Sequence, residues 1–358
     1  MAQDSLTRDD LRAAVASGVL TEAQAARLLT ISEERLGYRK TLGPEDEPFE
    51  LFRGFAEIFV SVGLVLLISG ILAVGQIFGG AILPFLAAGL CWVFARYFTL
   101  KRRMALPSIV LVVGFALGIA IGAALILSAV FGPESHPRLV ALIYSLICLA
   151  ALALHFRVFK VPFTALPMGL AASLPVFIAV DLIFPFGDMA FDWTALFDLA
   201  AGSGLPVATL IFGLVMLVAG LWCDMKDPYR LGRWSATGFW CHILAAPALV
   251  NTVALTAYSQ GDTAGNLLLA LALVAIGLLA LVIDRRSFLT AGIGYLGLLI
   301  AWVLRYGDSN LSLALLLLIL GAFLTAIGTY WTQIRAGLMR ALPDFPGKDR
   351  LPPYADNG

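Results

Sequence analysis

Apolar runs of about 20 residues recur along this chain of 358 residues, and they constrain its fold more than any motif. Of the residues, 60% are hydrophobic and 13% are charged, whereas soluble domains are nearer half apolar and a quarter charged. A run of this length fits a helix that crosses a bilayer. Because backbone groups in lipid must bond within their own segment, and the short alternation of a membrane barrel is missing, the runs predict helices.

Ten such runs follow residue 55, and together they predict an all-α membrane bundle of about ten transmembrane helices. Their predicted limits are 55–77, 81–99, 107–131, 138–156, 161–184, 205–222, 235–257, 264–283, 288–304 and 311–331. The predicted domains are a cytoplasmic helical hairpin (1–36), a linker (37–54), the transmembrane domain (55–331), and a cytoplasmic amphipathic segment with a disordered tail (332–358).

The basic residues predict how these helices are threaded. With the N-terminus on the inner side, all but two of the 24 Lys and Arg residues fall on inner segments, and the exceptions are Arg138 and Arg305. Inner loops of membrane proteins carry such an excess, and one span more or fewer would reverse every later loop. The pattern predicts that both termini are cytoplasmic. A formal net charge of zero gives no reason to expect a nucleic-acid partner.

The tryptophans and the C-terminal segment agree with this threading. Trp222, Trp234 and Trp331 fall at predicted inner boundaries, where indole rings favour the membrane interface. The amphipathic stretch at 331–342 is predicted to lie along the inner surface of the membrane. From Pro343 onward the composition predicts disorder.

The first 36 residues predict two short helices. Thr21 and Gln24 have the spacing of a capping box, as do Thr7 and Asp10, and Gly18 predicts the stop between the helices. About 30 residues bury too little surface to be stable alone. We therefore expect residues 5–36 to dock on something, and a cytoplasmic protein is one candidate partner.

Metal and cofactor chemistry has no support in the motifs. Four cysteines lie in or beside apolar runs without a CxxC pair, which argues against a disulfide framework and a zinc site. Nucleotide-binding motifs of the Walker and GxGxxG types are missing at any strand–helix junction. We predict no metal and no cofactor. No set of catalytic side chains converges, so the sequence argues against an enzyme.

Glycines at four-residue steps in the third run predict a close helix contact. Gly114, Gly118 and Gly122 share one helix face, and small residues there let two backbones approach each other. A contact inside the bundle is the first interpretation. A contact between copies of the chain and the lining of a pore are the alternatives.

Three prolines interrupt the fifth run, which ends at Asp181. Pro162, Pro167 and Pro175 each remove a backbone donor, so they predict a kinked or broken helix. In transporters such breaks place backbone groups at a site near the middle of the membrane, whereas a bent packing helix is the alternative. Asp181 is expected at the outer interface.

Glu57 stands at the start of the first run, four residues after Arg53. This spacing predicts an ion pair along one helix face. The alternative for Glu57 is a carboxylate that takes part in a proton relay.

The seventh run reads FWCHILAAPALVN at 239–251 and places polar side chains inside a predicted span. A straight helix puts His242 and Asn251 on opposite faces, about 900° apart, and a bend at Pro247 would bring them together. A hydrogen bond from His242 to a neighbouring helix is one interpretation, and proton handling or substrate contact is another. Cys241 and His242 point about 100° apart, which argues against metal ligation and a Cys–His nucleophile.

Three segments resemble a family of bacterial polytopic inner-membrane proteins that carry an N-terminal helical hairpin, a domain of unknown function. They are ASGVLTEAQAARLL (16–29), GRWSATGFWCHILAAPALVNTVA (232–254) and VIDRRSFLTAGIGYL (282–296). The resemblance implies a bacterial inner membrane as the location. It implies no activity, substrate or site residue.

Three hypotheses of function remain. The leading one is the binding or transport of a small solute through the bundle, with a site that draws on His242, Asn251, Pro175, Asp181 and Glu57. The second is a non-transporting scaffold or sensor in the bilayer, whose N-terminal hairpin binds a cytoplasmic protein. The third is an intramembrane enzyme that acts on lipid.

Overall fold

The computed structural model describes residues 13–21, 24, 28, 55–78, 80–132, 136–186, 194–228, 233–303, 310–352 and 354. These residues contain no strand, and they form the predicted all-α membrane bundle. Its long helices are α1 (Phe55–Phe78), α2 (Ile82–Ala95), α3 (Ala105–Phe131), α4 (Pro137–Phe159), α5 (Ala165–Ile183), α6 (Leu205–Lys226), α7 (Arg233–Tyr258), α8 (Thr263–Ile283), α9 (Ser287–Val303) and α10 (Asn310–Ala341).

The helices correspond one by one to the predicted spans. Within the described residues, nine are long and apolar enough to cross a membrane, when the π-helical extension of α2 (Arg96–Lys101) is included. Helix α9 has 17 residues, which makes it shorter than these nine, and it is not one of them. Residues 304–309, which follow α9, lie outside the described residues. The tenth span therefore stays a prediction.

Contacts divide the chain into two units, Met1–Pro48 and Phe49–Gly358. In the first unit a short helical segment ends at Gly18, whose φ of +72° is left-handed. The backbone N–H of Thr21 donates to Gln24 Oε1 at 2.9 Å, and the N–H of Gln24 donates to Thr21 Oγ1 at 3.2 Å. This reciprocal pair confirms the capping box predicted there. Most of the predicted hairpin and the linker lie outside the described residues.

The larger unit has two principal apolar cores. Helices α1 to α4 build the first core, and α6 to α10 build the second. Helix α5 contributes Met168 to the first core and both Val176 and Phe177 to the second. The bundle therefore consists of two helix groups that α5 joins, and we call them the first and second helix groups.

The glycine face of α3 packs inside the first helix group. A Cβ added to Gly118 would lie 2.6 Å from the carbonyl oxygen of Pro84, and one added to Gly122 would lie 2.8 Å from the ring of Phe85. Gly114 is equally crowded, and all three glycines are buried. At Gly118 no larger residue fits unless α2 and α3 move apart, because the atom that it meets is a backbone oxygen, whereas at Gly114 and Gly122 neighbouring side chains would have to shift.

Helix α5 is continuous from Ala165 to Ile183, so the break predicted from its three prolines is wrong. Pro162 lies in a 3-10 turn before the helix, and Pro167 lies in its first turn, where a proline costs no helical hydrogen bond. Only Pro175 is internal. Its missing N–H leaves the carbonyl of residue 171 without a helical donor.

A side chain of the neighbouring helix replaces that donor. Ser145 on α4 is fully buried, and its Oγ donates to the carbonyl oxygen of Ala171 at 2.8 Å. The polar group that Pro175 leaves over is therefore satisfied inside the bundle. Pro175 therefore belongs to a contact between α4 and α5. The carbonyl of Ala171, which this proline leaves without a helical donor, is bonded to Ser145 and not exposed to a central site.

Candidate functional site

A group of charged and polar side chains is buried where α6, α7 and the α8–α9 loop meet. Asp224, His242 and Arg285 are 2%, 0% and 1% exposed, and Ser235 beside them is also buried. We call these four residues the Asp224 cluster. Ionisable side chains inside membrane proteins are costly and mark functional positions.

Both oxygens of the Asp224 carboxylate are bonded. Oδ2 lies 2.8 Å from His242 Nε2 and accepts from Arg285 Nε at 3.1 Å. Oδ1 accepts from Arg285 Nη2, which also donates to the carbonyl oxygen and the Oγ of Ser235, at 3.0 and 3.2 Å. An ionised carboxylate only accepts, so Nε2 of His242 carries the proton in this arrangement. The two-point arginine contact fixes the carboxylate strongly.

Two glycines make room for this cluster. A Cβ added to Gly220 on α6 would lie 2.6 Å from Cε1 of His242, and one added to Gly238 on α7 would lie 2.5 Å from Oδ1 of Asp224. The Gly238 position is also 3.0 Å from the Gly220 carbonyl oxygen. The polar cluster therefore occupies the volume that the missing side chains leave between α6 and α7.

A second buried contact anchors α10 beside the cluster. Asp284 Oδ1 accepts from the indole Nε1 of Trp331 at 2.7 Å and lies 3.7 Å from Arg335 Nε. Arg335 Nε donates to the carbonyl of Leu281 at 3.0 Å, and its Nη2 donates to that of Pro352 at 2.6 Å. Asp284 of the α8–α9 loop thus binds α10, and Arg335 of α10 binds both α8 and the chain that follows α10.

These contacts bear on the predictions about the C-terminal part. Trp331 is 1% exposed and packs inside the bundle, and its predicted depth at the inner membrane boundary stays a prediction. Helix α10 bends at Tyr330, and Arg335 and Met339 beyond the bend are buried against the bundle. Residues 343–352 adopt turns and a 3-10 segment in which Leu351 is buried, which differs from the predicted disorder.

Glu57 has a role that the sequence did not indicate. It is buried, and its Oε2 accepts from the backbone N–H groups of Ala105 and Leu106, at 3.1 and 3.2 Å. These are the first N–H groups of α3, so Glu57 on α1 caps a neighbouring helix. Arg53 lies outside the described residues, and the predicted ion pair stays a prediction.

Asp181 and Asn251 lie outside the Asp224 cluster. Asp181 accepts from Arg138 Nε at 2.7 Å and from the backbone N–H of Phe186 at 2.9 Å. Asn251 is half-buried on α7, which remains one helix across Pro247. The structure places His242 in the Asp224 cluster, whereas Asp181 belongs to an ion pair with an exposed arginine. A shared solute site for the five predicted residues stays a prediction.

Asp224 belongs to none of the motifs predicted from the sequence, and Arg285 enters the predictions only as one of the basic residues of an inner loop. A signal was present, because Gly220 precedes Asp224 by four residues and Gly238 precedes His242 by four. This spacing places each polar residue on the same helix face as a small one. A glycine followed by a buried polar residue on two neighbouring spans predicts a close polar contact.

The cluster lies at one end of the bundle. Helices α6 and α8 end there, α7 and α9 begin there, and a cavity joins the last turn of α4 to the first turn of α7. We call this the basic end.

The resemblance to bacterial inner-membrane proteins stays a prediction. Comparisons of the chain with protein-family models, with curated proteins and with solved structures return no match.

Proposed function

We propose that this membrane protein moves a small solute across the bilayer, with the Asp224 cluster as its proton-responsive centre. The supporting observation is the burial of Asp224, His242 and Arg285 in mutual contact among apolar helices. Ionisable groups in such places recur in ion pathways and proton relays of membrane proteins. Histidine is also the side chain whose ordinary charge change falls between pH 5 and 8.

A proton added to the cluster changes its charge balance. With Asp224 and Arg285 ionised and His242 neutral, the formal charges cancel. A further proton leaves one net positive charge in a site that water does not reach, and burial of an unpaired charge is costly. The protonated cluster therefore favours a conformation in which water or a solute reaches it. Loss of the proton favours the closed packing of α6 on α7.

The two helix groups supply parts that can move against each other. Each has its own apolar core, and α5 contacts both cores. In many secondary transporters, two groups of helices rock about a central site. We propose the same kind of movement here, with the charge of the Asp224 cluster, which lies within the second helix group, favouring one arrangement of the two groups over the other. The Lys and Arg pattern supports cytoplasmic termini, and the resemblance described above supports a bacterial inner membrane.

The proposal predicts proton-coupled flux in proteoliposomes that enclose a pH-sensitive dye. Gradients of carboxylates, amino acids, sugars and organic cations are applied one at a time, and a solute that moves with protons changes the internal pH. We expect His242→Phe to reduce this change at least about tenfold, because the phenyl ring carries no proton.

The matched control is His155→Phe. His155 is equally buried, but it packs against Trp92, Phe115 and Phe159 in the first helix group. This variant should retain the flux of the unmodified protein. Undiminished flux in His242→Phe, at equal protein per vesicle, would contradict a proton-handling cluster.

A non-transporting scaffold or sensor is the second candidate, and the packing of α5 favours it. A Cβ added to Gly169 would lie 2.3 Å from Cδ1 of Leu244 and 2.9 Å from Cε of Met216. At this contact α5, α6 and α7 leave no space for a solute between them in the observed conformation. In this function the Asp224 cluster would be a structural lock, and residues 5–36 would bind a cytoplasmic protein. Absence of flux together with partner capture that requires residues 1–48 would support it.

A further inference from the structure

We propose that a cavity at the basic end binds the headgroup of an anionic phospholipid. The cavity has a volume of about 460 Å³ and lies between the last turns of α4 and the first turn of α7. Its wall combines three cationic side chains with apolar and aromatic ones. This site is separate from the Asp224 cluster and does not depend on transport.

Among the described residues, the cations of the cavity have no acidic partner. Arg157, Lys160 and Arg233 are exposed, and none of their side chains forms an ion pair or hydrogen bond with a residue that the structure describes. By contrast, Arg138 and Arg285 each bind an aspartate. Three cations gathered at one cavity repel each other, and a phosphate group would offset that repulsion.

The apolar part of the cavity identifies the ligand as an amphiphile. Leu154 lines the cavity and is 55% exposed on α4, a helix apolar and long enough to cross a membrane. Leu154 and Arg157 are three residues apart, so they share a helix face and differ in depth by about 4.5 Å. A phosphate bound at Arg157 would place an acyl chain along Leu154. A free phosphate would leave that apolar wall unused.

Trp234 marks the depth of the site. It lines the cavity and meets Trp222 edge to face, with ring centroids 5.5 Å apart. Lys226 Nζ lies 3.5 Å from the Trp222 ring centroid and 4.7 Å from that of Trp234, which adds a fourth positive charge nearby. Indole rings favour the headgroup region. Basic pockets between transmembrane helices at this depth suit phospholipid headgroups.

Native mass spectrometry of the full-length protein in detergent tests this site. The protein is mixed with dioleoylphosphatidylglycerol or, at equal concentration, with dioleoylphosphatidylcholine. We expect the unmodified protein to bind the anionic lipid roughly tenfold more tightly, and we expect a variant with Arg157→Gln, Lys160→Gln and Arg233→Gln to lose that preference.

The matched control carries Lys101→Gln, Arg102→Gln and Arg340→Gln. It loses the same charge from exposed positions that do not line the cavity, so the preference should persist. If both triple variants lost the preference for the anionic lipid equally, the proposed site would be overturned, because the total charge of the protein would then explain the preference. A missing preference in the unmodified protein would overturn it too, as would displacement of the lipid by an equal concentration of glycerol 3-phosphate. If the triple variant unfolds, Arg157→Gln and Arg233→Gln are tested singly, and unchanged lipid preference in both would overturn the proposal.

Discussion

Asp224→Ala is expected to lower the free energy of unfolding of the bundle by about 3–5 kcal/mol, because Arg285 would stay buried without its carboxylate. Arg285 is 1% exposed and has no route to solvent in the closed packing. His242 would lose its carboxylate in the same step. Thermal unfolding of the purified protein in detergent, followed by intrinsic fluorescence, measures the loss.

Two further variants test whether the loss of stability comes from the unpaired buried charge of Arg285. Asp181→Ala removes a carboxylate whose partner, Arg138, is 56% exposed, and such pairs contribute only about 0–1 kcal/mol. Asp224→Ala combined with Arg285→Met removes both charges and should recover most of the lost stability. If Asp181→Ala and Asp224→Ala cost the same, the cluster is not the tightly paired, buried group described here.

Gly238→Ala is expected to destabilise the protein by about 1–3 kcal/mol, because its Cβ has no space between α6 and α7. The atom would lie 2.5 Å from Oδ1 of Asp224 and 3.0 Å from the carbonyl oxygen of Gly220. A backbone oxygen cannot yield unless the helices separate, and separation would also strain the Asp224 cluster. The same unfolding assay measures the effect.

Gly294→Ala on α9 is the matched control for this substitution. No atom lies within 4 Å of the Cβ that it would add. Alanine favours a helix over glycine by about 0.8–1.0 kcal/mol, so this variant should be neutral or more stable. A neutral or stabilising effect of Gly238→Ala would show that the α6–α7 contact is looser than the structure indicates.

Much of the fold follows from local patterns in the sequence. Apolar length predicted the helices, the four-residue steps of Gly114, Gly118 and Gly122 predicted a close contact, and Thr21 with Gln24 predicted a cap. The four cysteines, which the sequence places in or beside apolar runs, are buried in the helices. Each of these features depends on residues that are close in sequence, where helix geometry alone determines which side chains meet.

The candidate site depends on residues that are far apart in sequence. Asp224 meets His242 across 18 residues and Arg285 across 61 residues, and no local pattern specifies that register. The prolines of α5 show a second limit of prediction from sequence. Pro167 does not interrupt the helix, because α5 begins at Ala165 and this proline therefore lies in the first turn. In a helix that began a few residues earlier, the same proline would be internal.

Double electron–electron resonance measures directly whether the two helix groups move against each other. The four buried cysteines are first replaced. Spin labels at residues 101 and 340 then measure the distance between the two helix groups at the basic end, and labels at residues 130 and 258 measure it at the opposite end. All four positions are exposed. Lowering the pH should lengthen the first distance and shorten the second, and His242→Phe should abolish both changes. Distances at both ends that do not change with pH would contradict the account.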